Sequence, residues 1–479
     1  MVKRGFAAVF ADLDEARRGW LTGWPALDPL SGAFPRKRVV HAGMGGGARP
    51  EADPAGTFVA ATTAGADPPV LPDTCMAYVH IPFCRTRCTY CQFYLAPHHA
   101  DVEDAYIDLL LQEFAQTERQ VRRWPRPCSA VYLGGGTPSD LTPRNLERLF
   151  AGIRRHLPLR NDAEITLEGR LSGYGDDRHE VALVGGANRF SFGVQSFDTG
   201  VRRRLGRIQD GDAVAVRLTE LARRRDAIIA CDLIYGLPGQ DRACWQRDLE
   251  TLGRCAIDGV STYQLNLFQR SPLHRAVADG RVDRPATTAE QAGYFRDAEA
   301  FFAANGFQRL QCSHFASSRM ERSLYNAASK GSAWVMPFGA GAGGFWGGRM
   351  FMHYQDLAAW RTAVTEGRKP VGMAIRQSQL QERQRRIGER LENTQRLSWS
   401  WLDAVAEADA RGTYGALFRG WETHALARLD THGLELLEAG RFWVANLAQA
   451  LCDAIAIECE GCIPSDLQPR AGVEIAAQG

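Results

Sequence analysis

The segment HIPFCRTRCTYC places Cys84, Cys88 and Cys91 in C-x3-C-x2-C spacing just after a run that reads as a β-strand. Three thiolates on one short loop can hold three corners of a [4Fe–4S] cluster, whose four irons otherwise take four ligands. One iron then stays open, and an open coordination position is where a metal centre does chemistry instead of holding a fold together. The competing reading is a zinc knuckle or a set of reactive thiols; zinc would need its fourth ligand from His80, His98 or His99.

A second set of polar residues follows in order along the chain. LGGGTPSD comes after a predicted strand, so Gly134, Gly135 and Gly136 let backbone groups approach a ligand closely while Thr137 can turn its hydroxyl toward it. EITLEGR ends a strand with Glu168, GVQSF ends the next with Gln195, LGR supplies Arg207, and CDLIYGLPGQ puts Asp232 inside a strand before a turn. Singly, each has a structural reading: Glu168 and Asp232 as strand-end caps, Gln195 as a turn former, Arg207 as a solvated helix residue. In this order behind three cysteines, they read as the lining of one ligand site.

The elements that must position these residues alternate. Strands are predicted near 76–82, 129–134, 163–168, 189–194, 227–235 and 260–268, with helices near 101–121, 143–156, 211–225, 241–255 and 288–304. That order predicts an α/β fold with a parallel sheet and helices outside it. Thr142 can cap a helix starting at Pro143, since proline lacks only an N–H that would be unpaired there. Residues 1–72 are rich in Pro and Gly and read as an extension with a mostly irregular path. The core is expected over 73–310, a Gly- and aromatic-rich accessory segment over 311–375, and a C-terminal helical module over 376–479. A small winged-helix-like unit fits that last part.

Composition excludes other classes. In 479 residues, 45% hydrophobic and 23% charged, wholesale disorder does not fit. Lys plus Arg (57) against Asp plus Glu (55) leaves +2, so no global cationic field exists to grip nucleic acid, and no basic stripe interleaved with aromatics is visible. No apolar stretch approaches the ~18 residues of a membrane span. The apolar start is broken by Asp12, Asp14 and Glu15 without a cleavage signature. Twelve cysteines are too sparse for a disulfide scaffold, and the crowding of three argues for metal binding in a reducing compartment, so a cytoplasmic protein is expected. Cys459 and Cys462 have redox-pair spacing, but Glu458 and Glu460 stand beside the first of them where an activated thiol would have cationic neighbours. Cys75, Cys128, Cys231, Cys244, Cys255, Cys312 and Cys452 read as small apolar core residues.

The cysteine loop resembles the cluster loop of the radical S-adenosylmethionine (SAM) superfamily, and the later motifs resemble its coproporphyrinogen III dehydrogenase-like branch over roughly 75–316. The resemblance implies a partial, open (β/α) barrel with the cluster and SAM at the C-terminal ends of its strands, an N-terminal extension, and the C-terminal module. It implies that SAM chelates the open iron and that reduction cleaves it to a 5′-deoxyadenosyl radical. It also implies that Tyr78, Tyr90, Gly135, Gly136, Thr137, Glu168, Gln195, Arg207 and Asp232 bind SAM. That agrees with the ligand's chemistry, since a zwitterionic sulfonium wants carboxylates for its amino and ribose hydroxyl groups and a guanidinium for its carboxylate.

Within the branch, the dehydrogenase form carries a fourth cysteine two residues beyond the triad, where this chain has Phe93. The heme-chaperone form also lacks that cysteine, but its heme motif is not intact here, because His314 is followed by Phe315. DPLSGAFPRKRVVHAGMGGG and PFGAGAGG make the chain look like the HutW/ChuW-type proteins of anaerobic heme utilisation. That resemblance implies a methyltransferase activity: radical methylation and ring opening of heme, with release of iron and a linear tetrapyrrole. A second SAM would be the methyl source, and a low-potential donor such as flavodoxin or ferredoxin would supply electrons. Heme trafficking and coproporphyrinogen III dehydrogenation are the alternatives. Arg36, Lys37 and Arg38 can pair with heme propionates, and His41 can ligate heme iron, with His314 and His353 as further candidates. The glycines of 339–348, flanked by Phe338, Phe345 and Trp346, can lie against a flat macrocycle.

Overall fold

The structure, a computed structural model, describes residues 5–38, 50–63, 72–91, 93–121, 124–269, 271–331 and 333–461. Among these, a twelve-stranded sheet carries the fold. Its centre is a run of adjacent parallel strands, Cys75–Ile81, Cys128–Gly135, Leu159–Gly169, Arg189–Gln195, Ile228–Tyr235 and Gly259–Gln264. Helices Ala100–Gln120, Pro143–His156, Asp176–Gly185, Gly211–Arg224 and Arg242–Arg254 lie in the connections. Trp334–Phe338 adds in parallel to the first strand, and Gly343–Trp346, Arg349–His353 and Val371–Arg376 extend that end antiparallel. At the other end stand His314–Ala316 and Gln308–Arg309. The two ends do not pair with each other, so the barrel is open.

Alternation along the strands separates core from site. In the fourth parallel strand Phe190 and Phe192 join the hydrophobic core, and Ser191 between them faces the opposite way. The register then sets the polar residues side by side: Glu168 pairs with Ser191, Gly193 with Asp232, and Asp232 with Ser261. The Pro143–His156 helix starts as expected, the Thr142 hydroxyl accepting from the Asn145 N–H at 3.3 Å. Its cap is tied to the preceding helix, because Glu103 accepts from the Thr142 N–H and hydroxyl and from Asn145 at 2.7–2.8 Å.

Three stretches differ from the sequence reading. The extension is helical over Phe6–Ala11, Glu15–Thr22 and Pro54–Thr63 instead of irregular. Asp14 and Asp28 cap helices there, Pro29 sits in a first turn where proline is tolerated, and Phe6, Leu21, Leu30 and Phe58 bury against the rest of the chain. The helix Asp176–Gly185 was not predicted; its short run DDRHEVALVG carries little amphipathic signal. The Gly-rich stretch after 331 forms strands, because at Gly344 a Cβ would come within 2.4 Å of the Val335 carbonyl oxygen. In the C-terminal module, helices Gln379–Thr394, Trp399–Ala406, Gly415–Thr423 and Val444–Glu460 surround a three-stranded antiparallel sheet.

Candidate active site

Cys84 and Cys88 are buried on the loop leaving the first strand, and Cys91 is half-buried. Each thiol has its own surroundings. The Thr137 hydroxyl donates to Cys84 Sγ at 3.2 Å, and the Phe93 N–H donates to Cys91 Sγ at 3.3 Å. Burial raises the pKa of the Cys84 and Cys91 thiols. Burial alone would do the same to Cys88, but the guanidiniums of Arg207 and Arg170 hold it below its ordinary value. Thiols supplied with hydrogen-bond donors and cationic neighbours suit thiolate ligation, so this donor set fits a cluster. Among the described residues no three His, Cys, Asp or Glu side chains group as ligands of a single ion. Thiolates on a [4Fe–4S] cluster hold separate irons, whereas a zinc knuckle needs convergence. His98, one possible fourth zinc ligand, is 2.6 Å from Glu103 through Nε2.

The glycines after the second strand have a tighter role than expected. The Gly136 N–H donates to the Ile81 carbonyl at 2.7 Å and the Thr137 N–H to that of Phe83 at 2.8 Å, docking this turn on the cysteine loop. A Cβ at Gly136 would lie 2.4 Å from the Phe83 oxygen. At Gly135, where φ is +104°, it would lie 2.4 Å from the His80 ring, and at Gly134 2.6 Å from Glu168 Oε2. The bare backbone thus lets the cysteine loop, His80 and the Glu168 carboxylate close up around one point.

Glu168 and Asp232 face the interior from neighbouring parts of the sheet. Burial pushes the Glu168 carboxyl up to about 8, and the nearby Asp232 adds to this. Burial also raises Asp232, against which Arg189 and a Ser261 hydrogen bond act. Two half-buried carboxylates close enough to act on each other make a site that a cationic ligand relieves. Gln195 closes its strand at φ 73°, a left-handed conformation that costs a non-glycine residue of order 1–3 kcal/mol. Arg202 holds the carbonyls on either side, of Val194 at 2.8 Å and Ser196 at 3.0 Å, and Gln195 Oε1 is left buried without a hydrogen-bond partner. Arg207 donates to the Tyr90 hydroxyl at 3.1 Å and to the Gly193 carbonyl, with its Nε unpartnered. Tyr78 hydrogen-bonds His80 Nδ1 at 3.1 Å and stacks on Tyr132 and Tyr325, which stack on each other at 4.7 Å.

The fold thus brings the cysteine loop together with Tyr78, Tyr90, Gly135, Gly136, Thr137, Glu168, Gln195, Arg207 and Asp232. It adds residues the sequence reading missed. Arg170 donates to the Thr86 carbonyl at 2.9 Å and hydroxyl at 2.8 Å and acts electrostatically on the cysteines. Its place in EITLEGR, two residues past Glu168, was the available signal. Tyr132 and Tyr325 gave none, because aromatics in a strand and a short helix read as core.

The heme candidates are scattered. His41 lies outside the described residues, as does Cys462. Arg36 lies over the Trp20 ring at 5.8 Å, and the backbone of 36–38 is clipped to Asn446 through the Arg36 carbonyl (3.1 Å) and the Arg38 N–H (2.9 Å). His314, 2% exposed, is 2.9 Å from the Ser261 hydroxyl and 3.5 Å from Glu321, beside the buried Arg189–Glu321 pair of 3.1 Å. His353 is buried against the Gly339 carbonyl at 2.9 Å, and burial lowers it to about 4. Cys459 sits at the end of the last helix, 3.9 Å from Arg383.

The model of the radical SAM superfamily matches residues 78–252. Anaerobilin synthase from Escherichia coli O157:H7 is 35% identical over 382 residues, 80% of this chain and 84% of that protein. Heme chaperone HemW from Lactococcus lactis subsp. lactis (strain IL1403) is 30% identical over 64% of this chain and 79% of its own length. The solved coproporphyrinogen III oxidase (HemN) of Escherichia coli shares the fold at TM-score 0.72 and 21% identity, over 92% of this chain and 98% of that one. The chain belongs to the radical SAM superfamily, and its cofactors are a [4Fe–4S] cluster and SAM. Within the superfamily it resembles the HutW/ChuW-type heme-utilisation proteins of the coproporphyrinogen III dehydrogenase-like branch. Among the described residues no helix is long and apolar enough to cross a membrane.

Proposed function

We propose that the chain catalyses anaerobic radical methylation and ring opening of heme, releasing iron and a linear tetrapyrrole. The observation that carries this reading is the 35% identity with anaerobilin synthase, which runs over four fifths of both chains. Phe93, standing where the dehydrogenases place a fourth cysteine, supports it over coproporphyrinogen chemistry.

In this reading Cys84, Cys88 and Cys91 hold the cluster, which when bound supplies one-electron reduction of the SAM sulfonium. Glu168 and Asp232 receive the ammonium and ribose hydroxyls of SAM, and Arg207, steadied by Tyr90, orients its carboxylate. Gln195 Oε1, aimed inward and lacking a partner, accepts a further hydrogen bond. The stacked Tyr78, Tyr132 and Tyr325 cover one side of the site and keep water from it. A flavodoxin or ferredoxin serves as electron donor, and a second SAM provides the methyl group.

The test is an anaerobic reaction of the cluster-loaded, reduced protein with heme, following the Soret band with and without SAM. SAM-dependent loss of the band with formation of 5′-deoxyadenosine is expected. A persistent, protein-bound Soret band in both would overturn turnover on heme and favour a carrying role.

A further inference from the structure

Two cavities open where the ends of the sheet fail to meet. One, of 270 Å³, lies between the antiparallel strands, through Gly343, Phe345, Met350 and Met352, and the helix Gln379–Thr394. The other, of 250 Å³, lies between the end of the sixth parallel strand, through Tyr263 and Gln264, and Lys37, Arg38 and Phe442. Lys330 and Glu392 wall both, and their ion pair of 3.2 Å stands between them.

The two share aromatic surface with basic side chains beside it, the second being lined also by the polar Thr262, Gln264 and Asn266. Arg385, 9% exposed, has its guanidinium 3.6 Å from the centre of the Phe345 ring. It donates to the Gln377 side chain at 3.2 Å, and Glu382 and Glu389 act on it only at longer range. A buried guanidinium held by a neutral amide is a ready anchor for a carboxylate. In the second cavity Lys37 Nζ lies 3.7 Å from the centre of the Phe442 ring, next to Arg38. Each inner wall carries a tyrosine, Tyr325 in one and Tyr263 in the other, and both lie within the field of Glu168. The gap therefore sits beside the proposed SAM residues. Either cavity alone is below the roughly 300–1,000 Å³ that encloses a drug-sized ligand, whereas the pair falls inside that range.

We propose that the two cavities are halves of one site for a planar tetrapyrrole dicarboxylate, in which Arg385 anchors one propionate and Lys330 leaves Glu392 for the second. The ring lies across the gap, with its apolar faces against Phe345 and Met350 on one side and Tyr263 and Phe442 on the other. This assignment rests on the heme reading above and adds to it the residues that select the substrate.

Ferric protoporphyrin IX titrated into the cluster-loaded protein without SAM, followed by the Soret shift, tests it in the native chain, Arg385→Gln and Lys330→Gln, with cluster absorbance reporting an intact fold. Arg385→Gln is expected to weaken binding about ten- to hundredfold and the more exposed Lys330→Gln about threefold. The dimethyl ester of the same porphyrin, in which both carboxylates are blocked, should bind the native chain about threefold more weakly than Arg385→Gln binds the free acid, with no further loss in that variant. Undiminished heme affinity in Arg385→Gln overturns the assignment while leaving heme as the substrate. Where that variant fails to fold, undiminished affinity in Lys330→Gln does the same. Absence of heme binding by the native chain overturns the heme reading itself.

Discussion

SAM affinity should rise between about pH 6 and about pH 8, and the group responsible is Glu168. Its carboxyl is pushed up to about 8 by burial and by Asp232. At about pH 6 only about one molecule in a hundred carries it ionised, against about half at pH 8. A cationic ligand pairs with the ionised form, so binding at the lower pH includes removal of a proton that costs about 1.4 kcal/mol per pH unit. The affinity should therefore rise about fiftyfold from about pH 6 to about pH 8, and Glu168→Gln should remove the dependence. The assay is anaerobic calorimetry of SAM binding to the oxidised, cluster-loaded protein, in two buffers of different protonation enthalpy. Near pH 6.5 the native chain should release about one proton more per SAM bound than Glu168→Gln does. The sign on stability is opposite. With a raised folded-state pKa, this carboxyl destabilises the ligand-free fold progressively from about 4.5 up to about 8, so SAM should raise Tm most at the upper end. Equal affinity at both pH values, or an unchanged slope in Glu168→Gln, would refute the role given to this residue.

Three further outcomes follow from the packing. Gly134→Ala, whose Cβ would lie 2.6 Å from Glu168 Oε2, should push the carboxylate away and weaken SAM binding about tenfold or more, read by the same calorimetry. Gln195→Gly should release left-handed strain and raise stability by about 1 kcal/mol in denaturant titration while SAM binding weakens, so that stability and affinity move in opposite directions. Glu321→Ala leaves the buried Arg189 without its partner and should cost about 3–5 kcal/mol in the same titration. Arg189 and other contacts hold the Glu321 carboxyl, despite its burial, at about 2. Its stabilising effect should be complete above about 4.5 and be lost as pH falls toward 2.

How much of this could be read from the residues follows from how local each signal is. The parallel strands were legible because each is an apolar run bounded by turn residues, as in CDLIYGLPGQ, and the helix at Pro143 because Thr142 and the proline mark its start within two residues. The cysteine loop was legible because three ligands sit within one turn of chain. The extension was not: its prolines read as breakers, and burial of Phe6 and Phe58 against distant segments, which no local pattern shows, helps to hold its helices. The strands after 331 were hidden by glycines required by a neighbouring backbone, which no local pattern reveals. In the site, Glu168 and Gln195 stood out as polar residues at strand ends. Arg385 and Tyr325 did not, because their partners come from segments about 40 to 190 residues away in sequence.

The central claim, that this SAM chemistry alters heme, is tested most directly by turnover with SAM labelled with carbon-13 in its methyl group. The account predicts an opened tetrapyrrole carrying the label, with iron released and 5′-deoxyadenosine formed alongside. Recovery of unlabelled, intact heme, while 5′-deoxyadenosine accumulates at the same rate with and without it, would contradict the account.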